Sequence, residues 1–217
     1  MATLQETAVK FNNNLHVSHT GGRLSSDSGL VLVDELMDAF HFEEHSKKLI
    51  SFNDNRLYWR HSNQKILKQI VLQLIAGYKA DSSADILRYD PVLQALSMED
   101  ALVSQPTISR FFDRVTEESI EDFQVFNQVL IDQARLVRND TDMVIDLDST
   151  HSDTFGSQEQ TDYNAHYGTN GYHPIVAFDG LTGDFLKAKL RSGNQYTSAG
   201  VKEFLKPLLA HYNQVIF

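Results

Sequence analysis

Residues 143–153 read MVIDLDSTHSD, and this run decides how the second half of the chain folds. Apolar side chains alternate with aspartates, the period-two pattern of a strand with one buried face. Met143, Ile145 and Leu147 fall on one side; Val144, Asp146 and Asp148 fall on the other. Side chains two apart on a strand stand roughly 6–7 Å from each other. Two bare carboxylates at that separation repel by about 2–3 kcal/mol at an effective dielectric near 20. Solvent, an arginine partner, a proton or a divalent cation each relieves that repulsion. Carboxylate oxygens at a strand end are the hard ligands that Mg²⁺ and Mn²⁺ take. Taken alone, these residues leave open an edge strand whose aspartates are solvated or cap a turn.

Downstream, YHPIVAFD (172–179) and DFLKAKLR (184–191) read as strands joined by the turn GLTG (180–183). Thr197 or Ser198 is placed to cap a helix reaching Tyr212, and Gln214–Phe217 opens another apolar segment. Residues 149–171 read as a long loop, with Gln158 and Glu159 on it. His151, His166 and His173 follow one another at spacings of 15 and 7, which match no compact zinc-ligand pattern.

Upstream the pattern is helical. Residues 1–28, with Asn12-Asn13-Asn14 and Gly21-Gly22, read as an arm with little regular structure. Leu30, Val31, Val33, Leu36, Met37 and Phe40 recur at helical spacing. Ile66, Leu67, Ile70, Val71, Leu74 and Ile75 form a second stripe that ends at Gly77. Two short helical pieces fall near Leu87 and at Pro91–Leu96. Pro106 opens the helix in SQPTISRFFDRV, and a long helix over 117–137 places Ile120, Phe123, Phe126, Leu130 and Val137 inward.

The 217 residues suffice for one large domain or two small ones, and no apolar run is long enough to span a membrane. The N-terminus shows no secretory signal, and zero cysteines exclude disulfides and thiolate metal sites, which fits the cytoplasm. A net charge of −10 argues against a simple electrostatic nucleic-acid binder. Residues 1–115 are nearly balanced, with 12 Lys+Arg against 14 Asp+Glu, whereas residues 116–217 hold 7 against 15. An anionic substrate meeting that acidic half needs metal ions or another surface to offset it.

The stretch from DLDST (146–150) through GSQEQTDYNAHYGTNGYHPIVAFDGLTGDFLKAKLRSGN (156–194) resembles insertion-sequence transposases of the DDE group, enzymes with a ribonuclease H-like core. SDSGLVLVDELMDAF, LIAGYKADSSADILRYDPVL and SQPTISRF are similar to that family's N-terminal helical region. Asp-Ser-Thr alone is weakly specific; the ordered run after it is not. The resemblance implies an α+β chain: an arm at 1–28, a helical DNA-binding region at 29–138, and the first part of a ribonuclease H-like mixed sheet with flanking helices at 139–217. It implies metal-dependent DNA strand cleavage and transfer through two Mg²⁺ or Mn²⁺ ions. Asp148 holds metal as the first catalytic aspartate, with Asp146 the less favoured holder. Transposon ends and target DNA are the partners, and a homodimer the assembly.

The family pattern also requires a second aspartate after a fourth core strand and a later glutamate. Neither is assignable here, so the expectation is a fragment of a longer protein with weak divalent affinity and essentially no catalysis by itself. The alternative is a catalytically inactive DNA-binding remnant; a third reading is an unrelated metallohydrolase using Asp146, Asp148 and nearby histidines.

For DNA contact, Thr107, Ser109, Arg110 and Arg114 lie on adjoining turns of a helix-turn-helix-like segment, against the alternative of a packing helix with surface arginines. Arg191 and Asn194, at the end of the third strand, either reach DNA or orient the metal carboxylates; an ion pair from Arg191 to Asp146 is the structural alternative.

Overall fold

The computed structural model describes residues 24–97 and 101–212, together with the backbone of 7–9 and 12–17. The chain is α+β, with a strand pair, then a run of helices, then two further small sheets and a closing helix, consistent with a ribonuclease H-like domain. It divides within its longest helix into two compact units, Met1–Asp122 and Phe123–Phe217.

The first unit begins with strands β1 (Thr7–Val9) and β2 (Asn12–Val17), paired antiparallel with Thr7 opposite Val17. The arm expected at 1–28 therefore contains a hairpin. The β-branched residues of Thr-Ala-Val and the Leu-His-Val run supply the strand preference that its asparagines obscure.

Among the described residues, six helices follow before the longest one: α1 (Leu30–Ala39), α2 (Phe42–Leu49), α3 (Asn63–Ile75), α4 (Ser83–Leu87), α5 (Pro91–Ser97) and α6 (Gln105–Phe112). Local chemistry sets their ends. The Ser62 hydroxyl accepts from the Lys65 amide to start α3, and Gly77, at φ +91°, closes it while the Tyr78 amide reaches back to the Gln73 carbonyl. Asp90 accepts from the amides of Val92 and Leu93 and so caps α5 ahead of Pro91. Helix α7 (Glu117–Arg138) opens on a reciprocal box in which Thr116 and Ser119 each accept the other's backbone amide.

The core of this unit gathers Leu30, Met37, Phe42, Ile66, Leu72, Leu93, Ile108 and Phe111, with the Phe52 and Phe111 rings 5.2 Å apart. The expected stripes are rotated. Val31, Leu36, Leu74 and Ile75 are exposed, and α3 instead buries Gln69, whose amide brackets both backbone groups of Val103. In α7 the inward positions are Phe126, Ile131 and Arg135; Ile120 and Val137, expected inside, face solvent.

The second unit centres on an antiparallel sheet ordered β3 (Ile145–Ser149), β7 (Ile175–Asp179), β8 (Phe185–Lys189). Helix α8 (Val201–Tyr212) and the second part of α7 cover one face. Phe204, Leu208, Tyr212 and Ile131 pack there on Ile175, Ala177 and Leu186, with Met143 and Ile145 at the margin. Each such buried side chain contributes about 1.5–3 kcal/mol, which fixes β3 with its aspartates on the opposite face. The expectation of a mixed sheet rests on Gln214–Phe217, which lies outside the described residues.

Two boundaries differ from the sequence reading. The strand expected over 172–179 is split at His173-Pro174, since proline has no amide to give a ladder. Tyr172 ends β6 (Thr169–Tyr172), the centre of a second small sheet with β4 (Ser152–Asp153) and β5 (Asp162–Asn164), which otherwise falls inside the expected long loop. Helix α8 starts at Val201 rather than at Thr197 or Ser198, because Gly200 at φ +71° ends the preceding loop.

Candidate active site

Asp148 stands one residue from the end of β3, opposite Val176, and its carboxylate is exposed. One oxygen accepts the Ser149 amide at 2.7 Å. The side chain borders a cavity of about 640 Å³ shared with Tyr163, His166, His173, Asn194, Tyr196 and Thr197. Strand β3 is pinned to the cavity wall where the Ser149 hydroxyl donates to the Thr197 hydroxyl at 3.2 Å.

That wall is a loop held by Arg191. This residue is buried; its Nε donates to the His173 carbonyl, and its Nη1 donates to the carbonyls of Tyr196, Thr197 and Ala199. Burial lowers the guanidinium's pKa from its ordinary value. Arg191 and the Asp146 carboxylate are not joined by a hydrogen bond in this arrangement; the arginine's donors go to backbone. His173 pairs with the Arg191 backbone and places Nδ1 2.8 Å from the Gln195 carbonyl.

The Arg-Ser-Gly-Asn turn is seated by close backbone packing. A Cβ on Gly193 would lie 2.3 Å from the Asp162 carbonyl oxygen and 2.5 Å from that of Gly171. Buried Asn164 donates to the Gly193 carbonyl at 2.7 Å, and the exposed Asn194 amide donates to the Asp162 carboxylate on the cavity rim.

Asp146 is also exposed and on the Asp148 face, but it borders the β7–β8 turn: a Cβ on Gly180 would come within 3.2 Å of its carboxylate. Asp148 and Asn194 are thus brought to one cavity, with Arg191 behind its wall and Asp146 outside its lining.

The histidines take other parts. The His151 ring stacks on Tyr167 at 4.7 Å and meets the Thr169 hydroxyl at 2.8 Å; His173 is buried, and only His166 is a solvated loop residue. Among the described residues no group of three or more histidine, aspartate or glutamate side chains is arranged to hold a metal ion.

In the first unit, Ser109 and Arg110 are exposed on α6, and Thr107 shares a hydroxyl contact with Ser104. Arg114 is buried. It donates to the Asn63 side chain and the Arg110 carbonyl and lies over the Phe111 ring, and burial lowers its pKa.

The family profile described as Transposase DDE domain group 1 matches residues 7–216. The chain belongs to the transposase DDE domain family. DNA transposition is the function of that family, and DNA is its substrate. No curated protein and no solved structure matches the chain. No helix among the described residues is long and apolar enough to cross a membrane.

Transposase DDE domains use divalent metals, and the chemistry around Asp148 fits one. Asp146 and Asp148 are exposed hard-oxygen donors on one strand face, and neither forms an ion pair with a described lysine or arginine. The cavity beside Asp148 leaves room for ligand or water. Its walls escaped the sequence reading because Tyr163 on β5 and the Tyr196-Thr197 pair before α8 are more than thirty residues apart in sequence, and nothing periodic links them.

Proposed function

We propose that this transposase domain cleaves and joins DNA strands at the cavity beside Asp148, with Asp148 as the principal metal-holding carboxylate and Asp146 as a secondary one. The observation that carries this reading is an unpaired carboxylate at a strand end, opening on a walled polar cavity. Mg²⁺ or Mn²⁺, two ions in the full catalytic set, supplies activation of the attacking oxygen and neutralisation of the scissile phosphate when bound. The chain's own groups prepare the place. The Ser149 amide fixes one Asp148 oxygen and leaves the other directed by the strand, and Arg191 holds the 196–199 loop as a wall. Asn194 stands at the rim as a donor to DNA. Thr107, Ser109 and Arg110 are proposed to contact the backbone of transposon-end or target DNA, with Arg114 keeping their helix in place. A homodimer acting in the cytoplasm completes the reading.

A DNA-binding remnant without catalysis is the second reading.

Paramagnetic broadening by Mn²⁺ tests the site without requiring turnover. Amides of 146–149 and 195–198 should broaden first in the wild type, and Asp148→Asn should abolish the effect. Broadening that centres elsewhere, or that survives the substitution unchanged, rejects the assignment.

A further inference from the structure

A second cavity, of about 270 Å³, lies in the first unit, and of its lining residues only Thr107 carries a role in the sequence reading. It is lined by Arg56, Arg60, His61, Arg88, Ser104 and Thr107, among others. Three arginines around one small hollow in a chain of net charge −10 is a concentration of positive charge with no structural need behind all of it.

The three have different duties. Arg56 is committed: its Nε and Nη2 each donate to the Asp54 carboxylate at 2.7 Å, Nη2 reaches Asn63, and Nη1 reaches the His61 carbonyl. Asp54 neutralises it, and burial opposes but does not outweigh the hydrogen bond that raises its pKa. Arg60 and Arg88 are not committed. Arg60 is exposed, Arg88 is half-buried, and neither guanidinium is paired with a carboxylate among the described residues. The nearby Asp85 is engaged by the Gln105 amide at 3.1 Å, and Asp81 by the Gln105 side chain at 2.8 Å. The first turn of α6 has no amide to spare, since the Thr107 and Ile108 amides both turn back to Ser104. An anion here would be held by guanidinium groups and the Ser104–Thr107 hydroxyl pair.

Two of the lining arginines bring a different chemistry beside them. Trp59 and Tyr89 are 59% and 74% exposed, large aromatic surfaces left open to solvent. Both rings are already attached to cavity arginines: Arg56 lies 6.0 Å from the Trp59 ring and Arg88 5.4 Å from the Tyr89 ring. Phosphate donors in a hollow with flat rings beside it match one nucleotide unit, phosphate against arginine and an unstacked base against an aromatic face.

We propose that this cavity is a DNA-backbone site. Arg60 and Arg88 grip a phosphate, and Trp59 and Tyr89 stack against a base exposed at a single-stranded or frayed DNA end. The proposal rests on the transposase reading for the identity of the ligand, but not on any role of Asp148.

Fluorescence anisotropy with labelled DNA, blunt or carrying a short single-stranded overhang, tests it across a salt series. Removing the grip on that phosphate with Arg60→Gln/Arg88→Gln should cut affinity at least about tenfold at low salt and reduce the salt slope by about 0.9. Lys47→Gln/Lys48→Gln, an equal charge loss on the exposed end of α2, should change the slope much less. Trp59→Ala should weaken the overhang complex and spare the blunt one. The idea is overturned if the arginine pair keeps wild-type affinity and slope, or loses no more than the lysine pair.

A fold-independent arm uses the wild type alone. DNA should protect Arg60 and Arg88 from phenylglyoxal, read by mass spectrometry, and millimolar inorganic phosphate should protect far less. Equal protection by phosphate, or none by DNA, overturns a DNA site. Protection that persists while Mn²⁺ fails to broaden the Asp148 region would count against the catalytic reading only.

Discussion

Arg135 on α7 and Asp179 at the end of β7 form an ion pair at 2.8 Å with side chains 5% and 0% exposed. The second Asp179 oxygen accepts the Leu181 amide at 3.0 Å and the Val144 amide at 3.4 Å, and Arg135 also donates to the Asp142 carbonyl. One buried pair therefore ties the helix, the β7–β8 turn and the start of the strand that carries Asp148. Removing one partner of a buried pair strands the other charge, so Asp179→Ala should lower stability by about 3–5 kcal/mol. Arg135→Met/Asp179→Leu should lose less than the single change. Urea unfolding checks both; a loss below about 1 kcal/mol for Asp179→Ala would remove the pair from any organising role.

Gly193 tests the cavity from the opposite side. Its missing side chain admits two backbone carbonyls, those of Asp162 and Gly171, and neither can rotate away as a flexible side chain would. Gly193→Ala should therefore cost about 1–3 kcal/mol through backbone displacement. It should also break the Asn164 and Asn194 hydrogen bonds that depend on the turn. Loss of the slow exchange of amides in 162–164 and 171–173 is the expected sign in hydrogen exchange. An unchanged exchange pattern would mean the turn has slack that the geometry does not show.

How much of this was legible in the sequence follows from where the information sits. The alternation through Asp146 and Asp148, the Gly77 stop and Pro106 at the start of α6 are local signals, and each marks the element it promised. Helix α2 was invisible because FEEHSKKL is short and polar. It is sustained by acids in its first turn and lysines in its last, complementing the helix dipole. The faces of α1, α3 and α7 were misjudged by periodicity alone. Gln69 and Arg135 are buried because distant backbone and a distant carboxylate await them, which no window of sequence can show. That Asp148 stands near the end of a strand is legible in the alternation, whereas the cavity beside it is made by residues up to Thr197 and needs the fold. Arg60 lies in no motif and Arg88 in a stretch that gives it no role of its own, and only tertiary packing brings them to one hollow.

Arg191 separates a holding role from a DNA-contact role. Its Nη1 alone meets three carbonyls of the 196–199 loop, and its Nε meets a fourth at His173. Lysine offers a single point charge without the planar fork, so Arg191→Lys should not rescue the loop. Both Arg191→Lys and Arg191→Ala should leave buried carbonyls unpaired, lowering stability by about 2 kcal/mol or more and speeding exchange across 195–201. If either variant weakened DNA binding while exchange stayed slow, the arginine would be a DNA contact instead.

Asp54 gives the first unit a defined response to acid. The Arg56 guanidinium hydrogen-bonded to Asp54 holds that carboxyl far below the usual carboxylate range, against an opposing rise from burial, and Asn63 assists at 2.9 Å. A depressed folded value means the native state binds fewer protons than the unfolded chain in the acid range. The stabilisation is fully present well above the ordinary aspartate value of about 3.9, and it is lost as pH falls through that value toward the depressed folded one. Asp54→Asn should reduce stability at pH 7 and flatten the acid limb, because the substituted side chain no longer titrates. The same substitution frees Arg56, whose charge then joins Arg60 and Arg88 at their cavity. Urea midpoints at pH 7, 5, 3 and 2 read the first effect. Wild-type and variant curves that stay parallel from pH 5 to pH 2 would show that the Asp54–Arg56 pair contributes nothing to acid unfolding.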